Sequence, residues 1–227
     1  MPIEIISCIN RIKKFYTITN LAVFLSLLSP FIVNSAEIVV AGDKILVTGE
    51  IASGDGDVFL DRIEDDTKVL EINSQGGDAL AGMQIARAVM TRNLSLRVVD
   101  FCASACASLI LPASKEIYVK DGSIIAIHAG EVGLWRAAIN SNSLPKSVTD
   151  QLSMIEYLFE FEKSLNKHKF FKRQDEITGV KNADITVKIE PDRRITISGK
   201  NIKYRRYEYW TPSHEELIDL GINVSPW

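Results

Sequence analysis

Ser104 stands at the centre of the run Cys-Ala-Ser-Ala-Cys, with only small side chains within two positions on either side. A serine hydroxyl becomes a nucleophile when a base takes its proton and backbone N–H groups meet the charge that develops on the attacked carbonyl oxygen. The chain offers a candidate for each part. His128 closes the run Ser-Ile-Ile-Ala-Ile-His and can act as the base, then as the acid toward a leaving amine. Gly76 and Gly77 follow Asn-Ser-Gln and, lacking side chains, can turn an amide toward a neighbouring site. The N–H groups of Gly77 and Ala105 would then form an oxyanion hole, with Gly76 bordering the substrate. Each residue also has an ordinary structural use: serine among small residues packs, a single histidine caps a strand, and Gly-Gly makes a tight turn. Their joint value depends on whether the fold brings them together.

The elements that must position them alternate strand and helix. Glu37 to Thr48 reads as a β-hairpin around Gly42-Asp43, and 57–66 as a short helix. Val69 to Asn73 is a short apolar strand, followed by the glycine turn and by a helix beginning at Ala79, whose apolar positions recur at helical spacing. Leu96 to Phe101 is a second strand, and Cys102 to Leu111 a short apolar helix. Glu116 to Val119 and Ser123 to His128 are two more strands. This order predicts an α/β fold with a mostly parallel sheet and right-handed crossovers. Ligands of such sheets bind at the carboxyl ends of strands, where Gly76, Gly77, Ser104 and His128 all fall.

Beyond His128 the pattern predicts a glycine-containing loop and one long polar helix over roughly Ser147 to Lys169, with Leu152, Ile155, Leu158 and Phe159 as its apolar stripe. Residues 185–199 read as a small hairpin turning at Pro191-Asp192. A last helix begins near Thr211 or Ser213, where Glu216 three residues after Ser213 suits a capping box, and Gly221 ends it.

The first 36 residues differ from the rest. Arg11, Lys13 and Lys14 precede an uncharged run from Leu21 to Val33, as in a secretory signal peptide. That run of about 13 residues is shorter than the roughly 20 a membrane-spanning helix needs. Cleavage after Ser35 keeps Val33 three positions before the cut, whereas cleavage after Ala36 places the better small residue directly before it. Extending the apolar stretch back to Phe15 gives the alternative of a retained membrane anchor. The expected organisation is therefore 1–36 as leader or anchor and 37–227 as a single domain, periplasmic or secreted.

Composition narrows the function further. The chain is 46% hydrophobic and 24% charged, which excludes disordered and fibrous classes and leaves a packed core. Net charge is −3, and removing three basic and one acidic side chain with the leader leaves the body at −5. An acidic body gives no electrostatic reason to bind nucleic acid. Only Cys102 and Cys106 remain outside the leader. They form either a disulfide, which across one helical turn needs cooperating Cβ vectors over about 6 Å, or two small buried thiols. No Cys/His set has zinc spacing, and no metal or cofactor is expected.

The runs EINSQGGDALAGMQIARAV, VVDFCASACASLILPAS and SIIAIHAG, in this order, resemble the proteolytic subunit of the Clp protease and its exported relatives within the Clp/crotonase superfamily. The likeness spans about Lys44 to Gly130, with a weaker echo in TPSHEELIDLGI. It implies a spiral of βαβ units, Ser104 as nucleophile, His128 as base, Gly77 and Ala105 as oxyanion donors, and a homo-oligomer. The family places an Asp shortly before the last helix to orient the His. Here that region is KYRRYEYWTPS, where Glu208 is the nearby carboxylate, so Glu208, a backbone carbonyl or an Asn would orient His128. The expected activity is hydrolysis of peptides or unfolded chains. An exported enzyme meets no ATP, so an ATP-driven unfoldase is not expected as a partner. The competing readings are a non-catalytic scaffold of the same fold and, behind it, a crotonase-like thioester enzyme.

Overall fold

In a computed structural model, the described residues are 35–128, 131–140, 153–180, 184–189, 195–200 and 208–227. The Gly42-Asp43 turn joins β1 (Glu37–Ala41) to β2 (Lys44–Thr48) as an antiparallel hairpin, with Val39 opposite Leu46. From β2 onward the sheet is parallel: β3 (Val69–Ser74) pairs with β2, and β4 (Ser95–Ala103) with β3. The path continues through β5 (Ile117–Val119) to β9 (Val224–Pro226), while β6 (Ile124–Ala126) pairs with β4. The fold class is thus mixed α/β with a mostly parallel sheet, as the strand–helix alternation predicts.

β4 has two neighbours on the same edge. Leu96 to Val98 pair with β5, and Phe101 to Ala103 pair with β6. The helix expected from Cys102 therefore starts later, because Cys102 and Ala103 extend the strand. Pairing with Ser74 on one side and with Ile125 and Ala126 on the other overrides the helical look of this small-residue run. The segment after Ser104 is a π-helical stretch, Cys106–Ile110, closed by an α turn, Leu111–Ala113; together they are α3.

Helix α1 (Asp55–Arg62) begins two residues earlier and ends four earlier than the sequence predicts. Helix α2 (Ala79–Arg92) is capped by the Asp78 carboxylate, which accepts from Ala81 N–H at 2.8 Å. It ends at Asn93 in the left-handed region (φ 55°), with Leu94 N–H returning to Val89 O at 2.9 Å. Its buried side, including Ala81, Met83, Ile85 and Val89, is part of one apolar core with Leu70, Ile72, Leu96 and Val98 of the central strands.

Two corrections concern the region after β6. Residues Glu131–Asn140 form a helix, α4, where a loop is expected. The single long helix is two: α5 (Ser153–Ser164) and α6 (His168–Thr178), separated at Asn166, whose φ of 53° interrupts the helical path. The break lets both helices reach the core, α5 through Leu158 and Phe161 and α6 through Phe170 and Phe171. Phe159 is half-buried, and Leu152 lies outside the described residues, as do 147–151 of the expected helix. The hairpin is β7 (Asp184–Ile189) with β8 (Ile195–Lys200); its Pro191-Asp192 turn lies outside the described residues.

Helix α7 (His214–Asp219) is capped by Ser213 Oγ, which accepts from Glu216 N–H at 3.1 Å. Gly221, at φ 81°, ends it, and the chain returns to the sheet as β9 beside β5, an edge strand the sequence pattern does not announce.

Phe59 on α1 is fully buried in the core, whereas its neighbour Leu60 is 45% exposed. Phe59→Ala should cost about 3–5 kcal/mol of unfolding free energy and Leu60→Ala less than about 1, compared by denaturant titration of the two variants.

Candidate functional site

Chain geometry at the end of β4 decides where the serine goes. Ser104 leaves the strand with φ 53°, a left-handed conformation rare for a residue with a Cβ, and turns directly into α3. Its N–H donates to Ala126 O at 3.0 Å, continuing the β4–β6 ladder by one rung. Its C=O accepts from Ser108 N–H at 2.8 Å, the first bond of the following helix. The backbone is thereby held on both sides of the turn while the hydroxyl stays half-buried.

The same ladder delivers the histidine. Two residues beyond Ala126, the Nε2 of His128 lies 2.7 Å from Ser104 Oγ, a distance at which a neutral imidazole accepts the hydroxyl proton. Nδ1 of the ring is shielded from solvent. The segment that leads from β6 to His128 is tied down by a pair of backbone bonds to a segment far along the chain: Ile127 N–H to Trp210 O at 2.8 Å and Trp210 N–H to Ile127 O at 2.7 Å. In an antiparallel pair of this type the next residues, His128 and Tyr209, face each other across the closer spacing. Their rings meet edge to face, centroids 5.5 Å apart and planes at 83°. Tyr209 is the contact that the sequence does not reveal, since it depends on one long-range bridge. Glu208, the carboxylate singled out from sequence, is exposed and directly precedes Tyr209 on this strap.

Gly76 and Gly77 reach the site from β3. Ser74, buried at the strand's end, donates its hydroxyl to Gly49 O at 2.6 Å and accepts from Gly76 N–H at 3.0 Å. Ile51 then clamps the loop, donating to Gly76 O at 2.8 Å and accepting from Asp78 N–H at 2.7 Å. Both glycines have positive φ, 86° and 140°. A Cβ on Gly76 would stand 2.4 Å from Ala103 O and 2.6 Å from Ser104 Cβ, so the loop backbone rests directly on the serine turn. A Cβ on Gly77 would stand 2.1 Å from Ile51 O. Among the described residues, neither Gly77 N–H nor Ala105 N–H donates to an acceptor. These are the two donors named from sequence, flanking the loop and the serine turn.

Cys102 and Cys106 are joined by a disulfide with Cα atoms 5.3 Å apart. The expected helix-turn geometry is corrected: Cys102 is in β4 and Cys106 in α3, so the bond bridges the turn that carries Ser104. Both cysteines are fully buried. No group of three or more His, Cys, Asp or Glu able to hold a metal occurs among the described residues, nor does a helix long and apolar enough to cross a membrane.

No protein-family model matches the chain, and no curated protein matches it by sequence. Solved structures do. A ClpP1 variant from Listeria monocytogenes is 18% identical over 80% of this chain and 90% of that one, with a TM-score of 0.39. A variant of the membrane-bound stomatin-specific protease 1510-N is 18% identical over 79% and 76% of the two chains, with a TM-score of 0.41.

Two outcomes follow from the geometry. Gly76→Ala should destabilise the serine turn far more than Gly122→Ala, because both positions have positive φ but nothing lies within 4 Å of a Cβ on Gly122; thermal melts of the pair would show it, and equal losses would mean the close approach is unimportant. Reduction should raise the intact mass of the oxidised chain by about two units, with both gained hydrogens mapping to the Cys102–Cys106 peptide.

Proposed function

We infer that this chain is a serine peptidase that hydrolyses peptide bonds through an acyl-enzyme on Ser104. The observation that carries the reading is the 2.7 Å contact between Ser104 Oγ and His128 Nε2. Nucleophile and base at hydrogen-bond distance, on a strained strand-to-helix turn, is the arrangement acyl transfer requires.

In the proposed cycle Ser104 Oγ attacks the substrate carbonyl carbon as His128 Nε2 takes its proton. The carbonyl oxygen, now an oxyanion, accepts from the N–H groups of Gly77 and Ala105. Collapse of the tetrahedral species breaks the C–N bond, and His128 returns the proton to the departing amine. Water then adds to the acyl-enzyme by the same route in reverse, freeing Ser104. Gly76 borders the substrate chain, and Glu208 supports the imidazolium electrostatically from the strap.

The rest of the proposal follows the sequence. The residues that follow the leader act as one domain exported to the periplasm or beyond, unless the leader is retained as an anchor. Substrates are peptides or unfolded chains, no ATP-driven unfoldase takes part, and the working form is a homo-oligomer. No cofactor or metal is required, because the side chains named supply every proton transfer.

Fluorophosphonate labelling of the purified chain, mapped by mass spectrometry, tests this reading. Label should appear on Ser104, disappear in Ser104→Ala and fall by at least about a hundredfold in His128→Ala. Glu208→Gln should slow labelling while leaving its position unchanged. A folded wild-type chain that takes no label would replace the peptidase by a non-catalytic scaffold of the same fold.

A further inference from the structure

Asp55 is a carboxylate that the proposed cycle does not use, yet it is only 3% exposed. Burying a charge of this kind is costly unless its oxygens are fully engaged. Three donors engage them: Ala52 N–H at 2.7 Å and Ala36 N–H at 2.9 Å, both on Oδ2, and the Ser35 hydroxyl on Oδ1. Two of the three come from the junction between the apolar leader and the body, at the position where the sequence leaves a choice of one residue. Ala36 itself is 8% exposed and belongs to the apolar core.

We propose that hydrolysis of the Ser35–Ala36 bond is the maturation step of this chain, and that the α-ammonium group it creates on Ala36 pairs with the buried Asp55 carboxylate. The inference rests on the export reading above. A leader peptidase supplies the reaction: water adds across the C–N bond, its hydroxyl going to the Ser35 carbonyl and its hydrogen to the Ala36 nitrogen, which then takes up a proton. Ser35 departs with the leader, and one donor to Asp55 goes with it. The new ammonium replaces both the lost hydroxyl and the single amide N–H with three N–H donors, and adds a full charge. A cut one residue later would remove Ala36 from the core and leave Asp55 with Ala52 as its remaining donor.

The pairing reaches the oxyanion loop in few steps. Asp55 holds Ala52, and the adjacent Ile51 holds Gly76 O and Asp78 N–H. The new N-terminus is therefore connected to Gly77 through continuous hydrogen bonds and one stretch of chain.

The test starts from the full-length chain, exported and purified. Its intact mass should correspond to a first residue of Ala36. A mature chain beginning at Glu37 overturns the proposal while leaving export intact, and a chain that keeps its leader overturns both. In the processed protein the Ala36 amine should react with an N-hydroxysuccinimide ester at least about tenfold more slowly than in Asp55→Asn, measured against a reference lysine peptide of the same sample. Equal rates overturn the ion pair. Fluorophosphonate labelling of Ser104 should fall severalfold in Asp55→Asn, and unchanged labelling would disconnect the pair from the loop.

Discussion

The hydrogen bond from Ser104 N–H to Ala126 O is the constraint on which the site depends. It exists because β4 is nine residues long and serves two neighbours in turn, β5 with its first half and β6 with its end. In a parallel ladder, residues at equal register advance together. Once Ala103 pairs with Ala126, Ser104 one residue on and His128 two residues on leave the sheet at the same edge. The 2.7 Å contact between their side chains combines this pairing with the left-handed turn at Ser104.

The second constraint is crowding. The loop after β3 lies against the serine turn so closely that no side chain fits at Gly76, and Ile51 blocks the corresponding space at Gly77. Close backbone approach of this kind requires glycine, since any side chain would collide with the main chain it rests on. The disulfide acts on the same turn from within, covalently joining the residue two before Ser104 to the residue two after it. Sheet pairing, glycine contact and disulfide thus all restrain a single residue whose own φ is unfavourable.

Much of this was legible in the sequence, and for definable reasons. Gly76, Gly77, Ser104 and His128 follow strands whose β-branched and apolar runs mark their ends, and in a parallel sheet such ends converge. Strand β4 reads two residues too short at its carboxyl end because Cys102 and Ala103 are small and lead into an apolar helix; only their partners on β3 and β6 make them strand. The break at Asn166 is one residue with a left-handed backbone inside a helical pattern, which periodicity does not detect. Helix α4 holds a glycine, Gly133, in its first turn, and a glycine so placed reads as a loop. Tyr209 and β9 were out of reach because each is defined by a partner far away in the chain, Ile127 and β5, and carries no local signal.

The position of those late partners has a consequence for synthesis. Ribosomes deliver the N-terminal part first, so Ser104 and His128 emerge well before Trp210 does. Until Trp210 arrives, Ile127, the residue before His128, lacks its bridge partner, and β5 lacks β9 at its edge. A nascent or truncated chain therefore holds the serine turn without its finished surroundings. Completion of the site waits for residues far along the chain from the serine turn they surround.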